Sequence, residues 1–244
     1  MDKLWNPIKK RVLLKISGEA FSGKSGFGYE SNAVDYLINE IVAVAGLCEL
    51  GIVVGGGNLF RGSIQGKTLG LDSNEEKAEA HYVGMLMTIA NGKILGAKLK
   101  HRGIENRHQS GIEAKKIAEP FIQLRATRHL EKGRVVIFSG GTGNPFSTTD
   151  SAMMLRALEI GAAVVLKGTK VDGIYEEDPE KNPDARFIER ISPDDYLRRN
   201  LRILDAGAVS QARDERVPIH VFNFFVPGNL KRVIQGEKIG SVIF

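Results

Sequence analysis

Three short segments of this chain combine glycine, hydroxyl and cationic residues in spacings suited to holding phosphate. The first is Lys15-Ile16-Ser17-Gly18-Glu19, where a lysine closes the apolar run Arg11–Ser17. Burying an ammonium in such a strand is costly unless an anion meets it. Lys15 therefore either points at a bound anion or snorkels from an edge strand. The second segment is Val54-Gly55-Gly56-Gly57-Asn58-Leu59-Phe60-Arg61-Gly62. Successive glycines let backbone N–H groups approach a phosphate with no Cβ in the way, and Arg61 can grip phosphate oxygens in bidentate fashion. The third runs Gly141-Thr142-Gly143-Asn144-Pro145-Phe146-Ser147-Thr148-Thr149-Asp150. Its hydroxyls, amide and aromatic face lead into a helix start, a chemistry suited to a base, a sugar and a phosphate. Asp150, in the first turn, either complements the helix dipole or, with Lys15 nearby, orients cations or helps bind Mg²⁺.

The elements around these segments set their positions. Arg11–Ser17, Gly51–Val54, Arg134–Phe138, Ala163–Leu166 and Ile219–Phe222 are compact apolar runs that read as buried strands. Between them, Asn32 to about Glu49 (after Ser31 as N-cap), Lys77–Lys98, Thr149–Ile160, Pro193–Asn200, Asp205–Arg216 (with Asp205 placed as cap) and Asn229–Gln235 read as helices. Residues 18–28 read as a glycine-rich loop, and Ser241–Phe244 as an edge strand. Strands alternating with helices predict an α/β fold, a mostly parallel central sheet covered on both faces. The ligand-holding loops then gather at the carboxyl edge of that sheet. Residues 1–10 read as a flexible tail and 11–244 as one domain with two functional halves meeting near residue 130.

Gly18-Glu19-Ala20-Phe21-Ser22-Gly23-Lys24-Ser25 matches the pattern of a P-loop. That motif needs a helix starting at its Lys-Ser end. Here Gly26-Phe27-Gly28 follows, a poor helix start, and no apolar strand ending in Asp supplies a metal partner. The match is set aside.

Composition narrows the class. Of 244 residues, 42% are hydrophobic and 26% charged, as in an ordinary globular protein. The net charge of +5 suits an anionic small substrate. The basic residues are scattered, whereas a nucleic-acid binder concentrates them, so no nucleic-acid partner is expected. No window approaches the ~18 apolar residues of a membrane span, and the first residues show no signal peptide. Cys48 is the single cysteine, which favours a reducing compartment and a cytoplasmic protein; in its apolar run it reads as a small core side chain.

Taken together, Lys15 to Glu19, Gly55 to Gly62, Gly84-Met85-Leu86, Thr142 to Asp150 and Leu166-Lys167-Gly168-Thr169-Lys170-Val171-Asp172-Gly173 resemble the bacterial uridylate kinases of the amino-acid-kinase superfamily. Tyr175-x-x-Asp178-Pro179 and Pro218 to Asn223 fit the same pattern, so the resemblance spans about Arg11 to Phe244. The Thr-Gly-Asn-Pro-Phe loop is its most specific part. The resemblance implies a three-layer αβα sandwich, ATP with Mg²⁺ as donor, UMP as acceptor and a homohexamer. It places Lys15, Ile16, Ser17, Gly18, Gly57, Arg61, Thr169, Tyr175 and Asp178 on ATP. It places Gly56, His81, Thr142, Gly143, Asn144, Pro145, Phe146, Ser147, Thr148 and Thr149 on UMP. Lys15, Arg61, Asp150 and Asp205 would organise transfer, and no protein metal site is implied. The half from about 11 to 130 would serve UMP, and that from about 131 to 244 would serve ATP.

Two departures stand out. Where the family usually has a ribose-binding aspartate, this chain has His81, which either keeps one ribose hydrogen bond or weakens UMP binding. The loop Gly23–Gly28 resembles one linked to activation by GTP. On the helix that usually adds an Arg and a His to the effector site, Gly96 and Lys100 stand instead. GTP is thus a candidate allosteric partner.

Overall fold

Arg11–Ile16 forms β1, the strand around which the molecule is arranged. The structure, a computed structural model, describes residues 10–61, 65, 66 and 68–244. Residues 1–9 of the expected tail, and Gly62, lie outside the described residues.

After β1 come a short helix α1 (Glu19–Ser22), α2 (Ser31–Val42), β2 (Glu49–Val54) and the long α3 (Asn74–His101). Then follow β3 (Asn106–Ser110), β4 (Glu119–Pro120), α4 (Gln123–Glu131), β5 (Val135–Ser139), α5 (Thr149–Ile160) and β6 (Val164–Thr169). A two-stranded ribbon pairs β7 (Ile174–Tyr175) with β8 (Phe187–Ile188). The chain ends through β9 (Arg190–Ile191), α6 (Pro193–Arg198), α7 (Ala206–Asp214), β10 (Ile219–Asn223), α8 (Asn229–Ile234) and β11 (Ser241–Ile243).

Nine strands make one sheet in the order β4-β3-β5-β2-β1-β6-β10-β11-β9. Its pairings are parallel except β10 with β11. Such a sheet is stable only when both faces are covered, and alternation along β1 shows how. Val12, Leu14 and Ile16 join the core under α2, α3 and α8, while Leu13 joins the core under α4, α5 and α7. This is the expected αβα sandwich. Removing a side chain such as Leu13, fully buried, would cost about 2–5 kcal/mol.

The expected boundaries change in places. The 18–28 segment is not all loop: α1 starts directly after β1, and Gly23–Ser25 forms one 3₁₀ turn. Gly26 then turns left-handed at φ 69°, so no helix follows Lys24-Ser25 and the P-loop match is void. The residue capping α2 is Glu30, one before Ser31, and the helix stops at Val42. α3 begins earlier than its apolar pattern because Ser73 and Glu76 form a reciprocal capping box. β11 is not at the edge; it lies between β10 and β9.

β1 has β2 on one side and β6 on the other, and the chain crosses between the two sides after β5. Ligands bind at such a reversal, beyond the carboxyl ends of the strands.

Candidate active site

A cleft of about 460 Å³ opens at that point. Lys15, Ser17 and Gly18 line it from the end of β1, and Gly55, Gly56, Gly57 and Arg61 from the turn after β2. His81, Gly84, Met85 and Thr88 come from α3, and Gly141, Ser147, Thr148 and Thr149 from the approach to α5. The three sequence segments therefore share one wall-to-wall space.

Close backbone approach builds the floor. The Gly55 N–H donates to the Ile16 carbonyl at 2.8 Å, joining the ends of β1 and β2. A Cβ on Gly18 would stand 2.6 Å from the Gly57 nitrogen. Only glycine at position 18 lets these two turns meet, and Gly18, Gly56 and Gly57 line the cleft there. Asn91 of α3, fully buried, donates to the Gly55 carbonyl at 2.7 Å and to Asn58 at 2.7 Å, which fixes the triglycine turn.

The loop before α5 is held at both ends. Thr88 accepts a hydrogen bond from the Gly140 N–H at 2.7 Å. At the other end Thr148 caps α5, its Oγ1 accepting from the N–H groups of Asp150 (3.1 Å) and Ser151 (3.2 Å). Between them Phe146 takes a left-handed conformation, φ 60°, uncommon for an aromatic residue. Its ring lies exposed, with its centroid 5.1 Å from that of His81.

The charges concentrate beneath this loop. Lys15, Asp150 and Lys167 are all buried. Lys15 Nζ lies 3.2 Å from Asp150 Oδ1, and Lys167 Nζ donates to Asp150 Oδ2 at 2.5 Å. Burial works to raise the Asp150 carboxyl, but Lys15 and Lys167 outweigh it and hold the group below the usual carboxylate range. Burial first, and Lys15 next, push the Lys167 ammonium down to about 8 against the pull of Asp150 and Asp205. Asp205 is the N-cap residue of α7, as expected, but its side chain makes no capping hydrogen bond and accepts the Thr148 hydroxyl instead. Nearer the mouth, Glu19 pairs with Arg61 on one oxygen and with Lys170, at 3.0 Å, on the other.

The remaining expected residues lie elsewhere. Ile16 is buried in the core and offers only backbone. Thr142, Gly143, Asn144, Pro145 and Phe146 continue the loop beyond the cleft lining, where Thr142 and Asn144 form a local turn with 3.2 Å bonds. Thr169 spends its hydroxyl on the Val171 carbonyl at 2.7 Å. Tyr175 packs edge-on to Phe187, and Asp178 accepts from the Glu180 N–H; neither lines this cleft.

Sequence reasoning assigned no role to Lys167, Glu19 or Lys170. For Lys167 the signal was present: a lysine inside Val-Val-Leu-Lys-Gly is as anomalous as Lys15 inside Arg-Val-Leu-Leu-Lys-Ile. For Glu19 there was none, because its partners come from distant turns.

The chain matches known proteins over nearly its whole length. The amino acid kinase family matches residues 10–223. The chain is similar to a UMP kinase structure from Bacillus anthracis at 38% identity, with 96% of this chain and 95% of the other covered and a TM-score of 0.90. It is similar to a UMP kinase structure from Ureaplasma parvum at 32% identity, covering 96% and 98%, with a TM-score of 0.87. A uridylate kinase structure from Archaeoglobus fulgidus follows at 27% identity, covering 96% and 99%, with a TM-score of 0.74. Near-complete coverage, a shared fold and a family match over most of its length place this chain in the amino acid kinase family.

Proposed function

We propose that this protein transfers the γ-phosphoryl group of ATP to UMP, giving ADP and UDP for pyrimidine nucleotide synthesis. The observation that carries the reading is the meeting of Lys15, the triglycine turn and the start of α5 in one cleft. The UMP kinases to which it is similar, at 38% and 32% identity, support the choice of acceptor.

In this reaction a UMP phosphate oxygen attacks the γ-phosphorus in line. The new P–O bond forms as the bond to the β–γ bridging oxygen breaks, and ADP leaves. The attacking oxygen is already anionic, so no general base is required. Phosphoryl transfer then depends on positioning and charge stabilisation. Lys15 and Arg61 supply the charge; Ser17, Gly18, Gly56 and Gly57 supply N–H groups. Thr142 to Thr149 and His81 hold the acceptor nucleotide, while Thr169, Tyr175 and Asp178 hold the donor's adenosine. The two halves, about 11–130 and 131–244, are the UMP and ATP sides of this arrangement.

Mg²⁺ enters with the donor as ATP·Mg²⁺, carried by its phosphates. The carboxylates here do not form a cage for it. Both Asp150 oxygens face ammonium groups, Asp205 faces Thr148, and no cluster of three or more His, Cys, Asp or Glu suited to a metal occurs among the described residues.

The assembly we propose is a homohexamer. Tyr82, Leu86 and Ile94 leave an exposed apolar stripe on α3, with Ile117, Ile122 and Leu124 exposed as well; sedimentation analysis tests this. A second cleft, about 470 Å³, carries Lys93, Lys100, Arg107, Lys115 and Lys116 and is the place we propose for GTP. A side chain at Gly96 would come within 2.9 Å of Asn106 there, so any contact rests on the lysines and Arg107. The single Cys48 and the lack, among the described residues, of a helix long and apolar enough to cross a membrane support a cytoplasmic location.

The deciding experiment follows ADP release from ATP·Mg²⁺ with UMP, CMP, AMP, GMP, aspartate and carbamate offered in turn. UMP should be strongly preferred. Turnover with aspartate or carbamate instead, or none with any acceptor, would overturn the reading.

A further inference from the structure

Two buried lysines stand side by side in this sheet. β1 and β6 are paired in parallel with Lys15 opposite Lys167, so both ammonium groups leave the same face, toward α5. Adjacent strands lie about 4.8 Å apart. Two like charges at that spacing are tolerated only because the Asp150 carboxylate sits between them.

The carboxylate is not shared equally. Lys167 donates a short hydrogen bond to Asp150 Oδ2 and a second to the Ile203 carbonyl, in the segment before α7. Asp150 Oδ1, by contrast, lies 3.2 Å from Lys15, a longer and less well aligned contact than the 2.5 Å bond from Lys167. Lys15 is thus held by Asp150 more loosely than Lys167 is, and it is Lys15, not Lys167, that lines the cleft.

We propose that Lys167 is a positioning residue for phosphoryl transfer: by binding Asp150 it keeps the carboxylate from closing onto Lys15, so the Lys15 ammonium keeps its donors for the transferring phosphoryl group. This rests on the kinase reading above. Lys167 itself touches no reacting atom. Without it, Asp150 would turn both oxygens to Lys15, shortening that pair and neutralising the buried cation that lines the cleft.

The test uses the full chain and compares K167M, K167R and K167M/D150N with wild type, following ADP release with ATP·Mg²⁺ and UMP. Thermal unfolding of each variant gives the folded fraction, and rates are taken per folded enzyme. K167M should lose at least 100-fold in kcat, with both KM values within about threefold of wild type, because ground-state contacts remain. K167R, which keeps the charge, should stay within about tenfold. K167M/D150N should be at least threefold faster than K167M, since Lys15 is released again; a purely structural role would make the double variant worse. Equal losses in K167M and K167R, a loss confined to KM, or a double variant slower than K167M would overturn the proposal. So would failure of K167M to fold, which would make Lys167 a folding residue. An active wild type with K167M at full kcat removes the role of Lys167 alone, whereas a wild type inactive toward every acceptor removes the kinase reading and this role with it.

Discussion

The Lys15 ammonium stands 3.2 Å from the Asp150 carboxylate with both groups buried, one from the central strand and one from the first turn of α5. This pair joins the two sides of the cleft at the point where charge would develop. Replacing Lys15 by Met removes the cation but leaves Asp150 paired with Lys167, so the carboxylate is not stranded. K15M should keep its fold while kcat for the proposed transfer falls about 10²–10³-fold, the usual cost of one electrostatic stabiliser. Steady-state kinetics with a thermal melt checks both halves of that expectation.

Glu19 supplies the opposite case. It is a carboxylate lining the cleft proposed to hold phosphates, bound to Arg61 and Lys170. Burial works to raise its carboxyl, but Lys170 and Arg61 outweigh that and hold it below the usual range, so it is ionised at neutral pH. Incoming phosphates must compete with it for those cations. E19Q should therefore lower KM for both nucleotides, by about two- to fivefold, as expected for partly exposed pairs. A rise in either KM would mean that Glu19 orders the two cations for substrate instead of competing for them.

How far the sequence discloses such a site depends on how the signal is written. β1, β2, β5, β6 and β10 are apolar runs buried on both faces, and their positions follow from composition alone. β3, Asn106-Arg-His-Gln-Ser110, does not look like a strand at all. It is one because β5 and β4 pair with it and its polar groups find partners, such as His108 with Ser139 at 2.7 Å and Gln109 with Glu119 at 3.3 Å. Tertiary pairing overrides propensity there. α4 has few apolar positions, and β7, β8 and β9 are two residues each, too short to show periodicity. In the site, Lys15 and the glycines were legible because each breaks a local rule. The Asp205–Thr148 contact was not, because Asp205 obeys a local rule by standing at the N-cap of α7, and nothing local shows that its carboxylate turns to Thr148 instead of to the helix.

His81 tests acceptor selectivity. It lines the cleft from α3 with its ring against Phe146. If it donates one hydrogen bond to the ribose, dUMP should show a KM about two- to tenfold above that of UMP, the worth of one such bond. H81A should erase the difference. Equal KM values in the wild type would show that the ribose contact is missing.

His108 gives a stability prediction. Burial, with Lys93 adding to it, pushes its imidazole down to about 4 from an ordinary value near 6.5. The folded state therefore keeps His108 neutral where the unfolded chain would protonate it. Its contribution is full above about pH 6.5, is lost as pH falls toward about 4, and is constant below that. The difference amounts to about 3 kcal/mol. H108Q keeps a polar partner for Ser139 but does not titrate. Urea unfolding from pH 7 to pH 4.5 should show wild-type stability falling relative to H108Q; parallel curves would refute the shift.

Lys167 yields a prediction in which activity and stability move in opposite directions. Its ammonium faces Lys15 from β1, Asp150 from α5, and Asp205 with the Ile203 carbonyl from the segment before α7. Nearby, Tyr196 of α6 is pushed up to about 12 by burial and does not titrate in this range. With Lys167 at about 8, kcat should fall as pH rises through that value, because neutral Lys167 no longer holds Asp150. K167R should move this alkaline limb upward, since Arg keeps its proton. Between about 8 and the ordinary lysine value of 10.5, the unfolded chain binds the proton that the folded state has shed. This group then makes stability rise with pH. A rate that falls between pH 8 and 9 while the melting temperature of wild type rises relative to K167R identifies deprotonation at this site. If rate and melting temperature decline together, the alkaline loss is unfolding and Lys167 is not its source.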